Sequence, residues 1–197
     1  MDINTLSHFL LNHLDWHPSR IKTFSQAILS LIVTGSVTLK HLAQGFQTTA
    51  KIDSVHRQLQ RFLKKQVFDF HLFGIIIRDF MGLNEGKFYC ALDRTNWDFG
   101  IFHINFLFVT VIYGKVSIPI VWVLLDKKGN SNTQERLDLI DRFLKIIPEN
   151  RIISLLGDRE FIGRDWFKYL KRNNIKSDIC VVGAARRVAP TFFTKRI

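Results

Sequence analysis

The sequence is short of the residues that staple or metallate small folds. Only two cysteines occur in 197 residues, Cys90 and Cys180. Each lies in an apolar run and neither has a C-x-x-C partner. This excludes a disulfide framework and a cysteine metal centre, and it predicts buried thiols in a reducing compartment. The seven histidines show no metal-ligand spacing; His13 and His17 are four apart but flank Pro18. Neither a Gly-rich phosphate loop nor a G-x-S-x-G elbow is present. The N-terminus lacks the basic, apolar, small-residue order of a secretory signal, so a cytoplasmic, nucleoid-associated location is expected. Acid is scarce as well: 17 acidic side chains face 28 basic ones, a net charge of +11. Such an excess calls for a polyanionic partner, nucleic acid first and an anionic membrane surface second.

One apolar stretch, residues 101–125 "IFHINFLFVTVIYGKVSIPIVWVLL", is long enough to span a bilayer. Gly114 and Lys115 break it in the middle, Pro119 follows, and Val, Ile and Phe dominate. It reads as two buried strands joined by a tight turn, with no membrane partner.

Residues 1–86 read as helical. Ser19 is the cap candidate of a helix that Gly35 stops, and a short helix runs from Thr38 to Gln44. A third helix, capped by Asp53 or Ser54, has Val55, Leu59, Phe62 and Leu63 as its apolar stripe. It exposes basic residues that include Arg57, Arg61, Lys64 and Lys65, with Lys51 just before it. A short helix, a turn and a basic helix form a helix-turn-helix-like DNA-binding pattern. From residue 87 the period changes to strand (87–93), strand (101–113), strand (116–125), helix (132–147), strand ending at Asp158, helix, strand. Three antiparallel strands and a crossover helix place the fourth strand parallel beside the first. The expected fold over residues 87–197 is an α/β, ribonuclease-H-like mixed sheet, in part from this pattern and in part from the resemblance given below. Its last part, 177–197, is atypical: the final 27 residues hold seven basic and one acidic side chain.

Two aspartates follow buried strands in that arrangement: Asp93 in "KFYCALDRTNWDFG" and Asp158 in "LLGDREF". If the strands are parallel neighbours, both carboxylates emerge at one end, about 4.8 Å apart by strand spacing. Like charges so close favour a divalent cation. Mg²⁺, or Mn²⁺ in its place, suits carboxylates, water and phosphate oxygens. Asp93 and Asp158 are thus the candidate metal ligands and catalytic acids. Arg94, Arg159 and Glu160 are supporting residues, with Glu160 a partner for a nearby arginine. Asp98 is expected in the turn after the first strand. The structural alternative makes Asp93–Arg94 a local ion pair and Asp158 the cap of the next helix.

At "ALDRTNW" and "LLGDREFIG" the sequence resembles IS4-type insertion-sequence transposases, over about residues 20–176. The resemblance implies a DDE catalytic site in a ribonuclease-H-like fold, with Asp93 and Asp158 as the first two acids. It also implies Mg²⁺-dependent cutting and joining of DNA ends, and contact of the N-terminal helices with terminal inverted repeats. The third acid of that family, a glutamate in a Y-x2-R-x3-E-x6-K pattern, has no counterpart, since no glutamate follows Glu160. The expectation is a truncated, inactive remnant whose tail after Ser177 has a frameshifted character, as a homodimer or in association with a full-length transposase. The alternative is a DNA-binding-only protein that occupies transposon ends and inhibits such a relative. A stand-alone nuclease would need Asp178 as its third acid.

Overall fold

The structure is a computed structural model that describes residues 2–179. Cys180 and the rest of the tail from 180, including most of its basic residues, lie outside the described residues. The chain divides into two compact units, one up to Leu72 and one from Phe73.

In the first unit, α1 (Ile3–Leu11) was not among the expected helices. Asp2 caps it by accepting the Asn4 and Thr5 N–H groups at 2.9 and 2.8 Å. Helix α2 (Pro18–Thr34) begins one residue before the expected cap. His17 is the N-cap, its ring nitrogen accepting the Ser19 N–H, and Pro18 takes the first turn, where its missing N–H costs nothing. The helix ends at Gly35, whose φ of 61° is left-handed and whose N–H closes on the Leu31 carbonyl. α3 (Leu39–Gln44) and α4 (Ile52–Lys65) follow. Lys51, not Asp53 or Ser54, is the N-cap of α4, without a side-chain cap bond; Asp53 sits in the first turn, where its charge suits the helix dipole. Ala43, Val55 and Leu59 are buried together against Ala27, Leu39, Leu42 and Phe46. Trp16, Phe24, Phe62 and Phe68 form a second, aromatic cluster with ring centroids 5.5–6.3 Å apart.

Helix α5 (Phe70–Phe80) carries the chain into the second unit, so the division by contact falls inside this helix, ahead of residue 86. Gly74 explains its attachment there. A Cβ at this position would lie 2.5 Å from both the Ile120 carbonyl oxygen and Ile146 Cδ1. Gly74→Ala must push backbone away from backbone. We expect a loss of about 1–3 kcal/mol in urea unfolding, typical of overpacking; an unchanged midpoint would contradict the close approach.

The sheet contains β1 (Phe88–Phe99), β2 (Phe102–Tyr113), β3 (Val116–Leu124), β4 (Ile152–Gly157) and β5 (Ser177–Ile179). Its order is β3-β2-β1-β4-β5. β1, β2 and β3 pair antiparallel, and β4 and β5 are parallel additions on the other side of β1. This is the ribonuclease-H-like arrangement. The run 101–125 is the β2–β3 hairpin, and among the described residues no helix is long and apolar enough to cross a membrane.

Alternation along the strands puts Cys90 and Leu92 with Leu107, Val109 and Val111 in one core. Leu139, Ile140 and Phe143 of α6 (Thr133–Leu144) and Trp166 and Leu170 of α7 (Arg164–Arg172) complete it. Asn132 and Glu135 cap α6 reciprocally. Phe167 of α7, between the buried Trp166 and Leu170, is 40% exposed. Burial pushes the Cys90 thiol up to about 12, so it is protonated and unreactive at neutral pH. In a Cys180→Ser background, alkylation of Cys90 at pH 8 should require unfolding. Rapid labelling of the native chain would contradict this.

The first strand is longer than expected. It runs past Asp93 to Phe99, because β2 continues to pair with it through Phe99↔Phe102 after β4 has ended. Asp98 therefore lies in the ladder opposite His103, whose ring nitrogen Nδ1 contacts its carboxylate, and not in a turn.

Candidate active site

The β1–β4 register decides the geometry. Tyr89, Cys90 and Ala91 pair with Ser154, Leu155 and Leu156. Two residues past the last pair, Ala91↔Leu156, come Asp93, still within β1, and Asp158, the first residue after β4; the register carried forward sets the two level at the end of the parallel ladder. Neighbouring strands are roughly 4.8 Å apart. Alternation turns Asp93 away from the face of Leu92 and onto that of Ala91. Burial, above all, pushes the Asp93 carboxyl up from its ordinary range, and the nearby Asp158 and Glu160 carboxylates add to the rise. Asp93 is half-buried and Asp158 exposed.

Each aspartate is oriented by backbone. Asp93 Oδ1 accepts the Arg94 N–H at 2.7 Å. Asp158 Oδ1 accepts the Glu160 N–H at 2.9 Å, and its carbonyl accepts the Phe161 N–H at 3.1 Å. The residues "DREF" thus form a closed turn directly after β4. Asp158 does not cap α7, whose N-cap is Gly163.

Nor does the guanidinium of Arg94 pair with Asp93. It crosses to Glu160, with Nε 2.8 and 3.1 Å from the two carboxylate oxygens and Nη2 2.9 Å from Oε2. The two side chains are only 13% and 14% exposed. Arg94 also donates to Asn105 Oδ1 at 3.3 Å and Asn130 Oδ1 at 3.1 Å. Asn105 in turn donates to the Lys127 and Gly129 carbonyls, both at 3.0 Å. One arginine thereby ties β1, the turn after β4 and the loop before α6 together around the two aspartates. Arg159, the other expected support, is exposed in the turn and takes no part in this set of bonds.

Sequence reading missed Asn105, Asn130 and Arg136. Arg136 is 5% exposed. It donates to Ser131 Oγ at 2.9 Å, to the Ser131 carbonyl at 2.5 Å and to the Ile162 carbonyl at 3.4 Å. Its guanidinium lies 5.3 Å over the Phe161 ring. Burial lowers its pKa, opposed by the acids around it, Glu160 first. It fixes the far end of the Asp158 turn. Helical period gave a usable signal, since Arg136 precedes Leu139, Ile140 and Phe143 on one stripe. The two asparagines carried none, because their partners, Arg94 for both and the loop carbonyls of Lys127 and Gly129 for Asn105, come from other segments of the chain.

The donor set is two carboxylates at a strand rim, with Oδ2 of each outside the hydrogen bonds of the described residues. Hard oxygen donors in that number fit a magnesium-like cation that keeps several waters. Among the described residues no group of three or more His, Cys, Asp or Glu side chains could hold a metal. Asp178 does not supply the third. It lies on β5, opposite Leu156, and accepts a bond from Ser154 Oγ at 2.8 Å. Ser154 is four residues before Asp158, roughly 13 Å back along the strand.

The five basic residues expected to meet DNA, Lys51, Arg57, Arg61, Lys64 and Lys65, are all exposed on or beside α4. The buried stripe of that helix is Val55, Leu59 and Phe62; Leu63, expected on it, lies one position round the helix from Phe62 and is 48% exposed.

No protein-family model matches the chain, and no curated protein sequence does. Among solved structures it is similar to the large terminase from a thermophilic bacteriophage, at 15% identity and a TM-score of 0.32. The likeness covers 49% of this chain and 23% of that one, so the chain spans under a quarter of the terminase's length. A similarity of that size carries no argument, and the fold assignment rests on the strand order and register given above.

Proposed function

We propose that Asp93 and Asp158 are two acids of a DDE-type, metal-dependent DNA strand-cleavage and strand-transfer site, as in IS4-type transposases, and that α4 holds the DNA. The observation that carries this reading is the β1–β4 register, which brings the two aspartates level at one rim with their charges in conflict. Asp93 and Asp158 would hold Mg²⁺ or Mn²⁺. The cation supplies charge neutralisation at a reacting phosphoryl group. The chain's own residues do the positioning. The rigid strand fixes Asp93, the closed turn fixes Asp158, and Arg94 draws Glu160 aside so that it does not compete for the site. The basic face of α4 lies along the phosphate backbone.

A second reading has its own observation. Only two acids converge among the described residues, as suits a protein that occupies terminal inverted repeats without cutting them. It would act as a dimer or with a full-length transposase. Both readings are tested on the full chain with inverted-repeat DNA. Mn²⁺ binding followed by electron paramagnetic resonance should be lost in Asp158→Asn while DNA binding persists. Arg57→Glu with Arg61→Glu should weaken DNA binding and flatten its salt dependence. Strand cleavage with Mn²⁺ supports the enzyme, and tight binding without cleavage supports the occupant. Unchanged Mn²⁺ binding in Asp158→Asn would remove the metal site from both.

A further inference from the structure

Between α2 and α4 lies a cleft of about 260 Å³ lined by Ser19, Arg20, Thr23, Gln58, Arg61, Phe62 and Lys65. Its α4 side is one helical face, since residues 58, 61, 62 and 65 follow the three-and-four spacing. Thr23 and Phe62 are buried and form the floor; Arg61 and Lys65 are exposed at the rim. The floor is internally satisfied. Thr23 Oγ1 donates to the Ser19 carbonyl at 2.9 Å and accepts from Gln58 Nε2 at 2.9 Å. Arg20 is held in place by its Nη1 bond to Gln66 Oε1 at 2.6 Å, which leaves most of its five donors for another partner.

Three cations therefore converge on one cleft with no acid in its lining. Helix α2 contains no acidic residue, and the one acid of α4, Asp53, is in its first turn. The volume is near the lower end of small-ligand sites, roughly 300–1,000 Å³. It suits an anionic group with a short attachment. Arginine forks match phosphate oxygens, and the basic row continues outside the cleft through Arg57 and Lys64, so the anion is one unit of a polyanion.

We propose that this cleft seats a single backbone phosphate of a nucleic acid, gripped jointly by Arg20, Arg61 and Lys65. The inference rests on α4 as a DNA-contacting helix and adds an element that the outer basic face does not contain, Arg20 of α2. It makes a specific prediction about counting. Contacts to separate phosphates each contribute about 0.9 to the slope of log K against log salt, whereas contacts to one phosphate share that contribution.

The test measures duplex binding by the full chain across a salt series, for the wild type, Arg20→Gln, Lys65→Gln, the double variant and Arg57→Gln. Each cleft single variant should lower the slope by less than about 1, since two cations still hold the phosphate, and the double should lower it by no more than about 1. Arg57→Gln combined with Arg20→Gln should lower it by the sum of the two single effects, between about 1 and about 2. A double variant that loses about 2 overturns the shared phosphate, as does an Arg20→Gln slope equal to that of the wild type. Lys65 is exposed in the last turn, so its variant keeps the test valid if Arg20→Gln misfolds. A parallel titration uses inorganic phosphate as probe, read by the Arg20 and Arg61 Nε–H signals. Saturation by free phosphate, with duplex binding insensitive to Arg20, assigns the cleft to a small anion and overturns the nucleic-acid proposal. If the wild type shows no salt-dependent duplex binding, the reading of α4 fails and the inference with it; if the wild type and Arg57→Gln behave as expected, the cleft alone stands or falls.

Discussion

Arg94→Ala is expected to lower the stability of the chain by about 1–3 kcal/mol, the loss that follows when a partly buried charged group is left without its hydrogen-bond partner. The Arg94 and Glu160 side chains are 13% and 14% exposed, and their contact is bidentate. Taking the guanidinium away strands Glu160 beside Asp93 and Asp158, so two uncompensated carboxylates become a cluster of three. It also releases Asn105 and Asn130, which locate the loop before α6. The double variant Arg94→Ala/Glu160→Ala should recover a large part of the loss, because removing both charges leaves no orphan. Arg94→Lys should fall between, since an ammonium cannot reproduce the fork. Urea unfolding of the four chains checks this. A double variant as unstable as Arg94→Ala would mean that packing, not charge, governs the site. Millimolar Mg²⁺ should narrow the gap between Arg94→Ala and the wild type, by giving the three acids a cation.

Asp93→Asn should have opposite effects on stability and on metal binding. Without metal, burial penalises the ionised Asp93 most, the Arg94 N–H bond offsets part of that, and Asp158 and Glu160 add to the penalty. The amide removes that penalty and keeps an oxygen for the Arg94 N–H. The metal-free variant should therefore unfold at a higher temperature than the wild type. Its affinity for Mn²⁺ should fall at least about 10- to 100-fold, the loss caused by merely disturbing a ligand's support. The wild type should gain thermal stability when Mn²⁺ is added and the variant should not, since only a ligand that binds the folded state shifts unfolding. A variant that is less stable without metal, or that is still stabilised by Mn²⁺, would break the assignment of Asp93 as a ligand held under charge strain.

Legibility in the sequence followed the range of the interaction. The basic face of α4 was readable because one helix carries both its buried stripe and its exposed one. The β2–β3 hairpin was readable because Gly114 and Lys115 punctuate a continuous apolar run. The cap of α2 was misjudged by two residues, since Pro18 fits the first turn and lets His17 do what serine more often does. The end of β1 was misjudged because a strand continues for as long as a partner pairs with it, and the length of β2 is not written in β1. For the candidate site, the two aspartates stood out as acids after buried strands. Arg136 was on the right stripe and was passed over because arginine is seldom buried.

What the sequence determined by itself was local: where the period changes from helix to strand, which faces are apolar, where positive charge accumulates, and that Asp93 and Asp158 each close a hydrophobic run. What tertiary structure decided was who meets whom. The parallel register sets Asp93 level with Asp158, Arg94 passes its near neighbour Asp93 to reach Glu160, and Arg20 comes to share a cleft with Arg61 and Lys65. Those outcomes depend on strand pairing and helix packing between segments far apart in the chain, where backbone hydrogen bonds and buried area, summed over many residues, outweigh the preference of any one side chain.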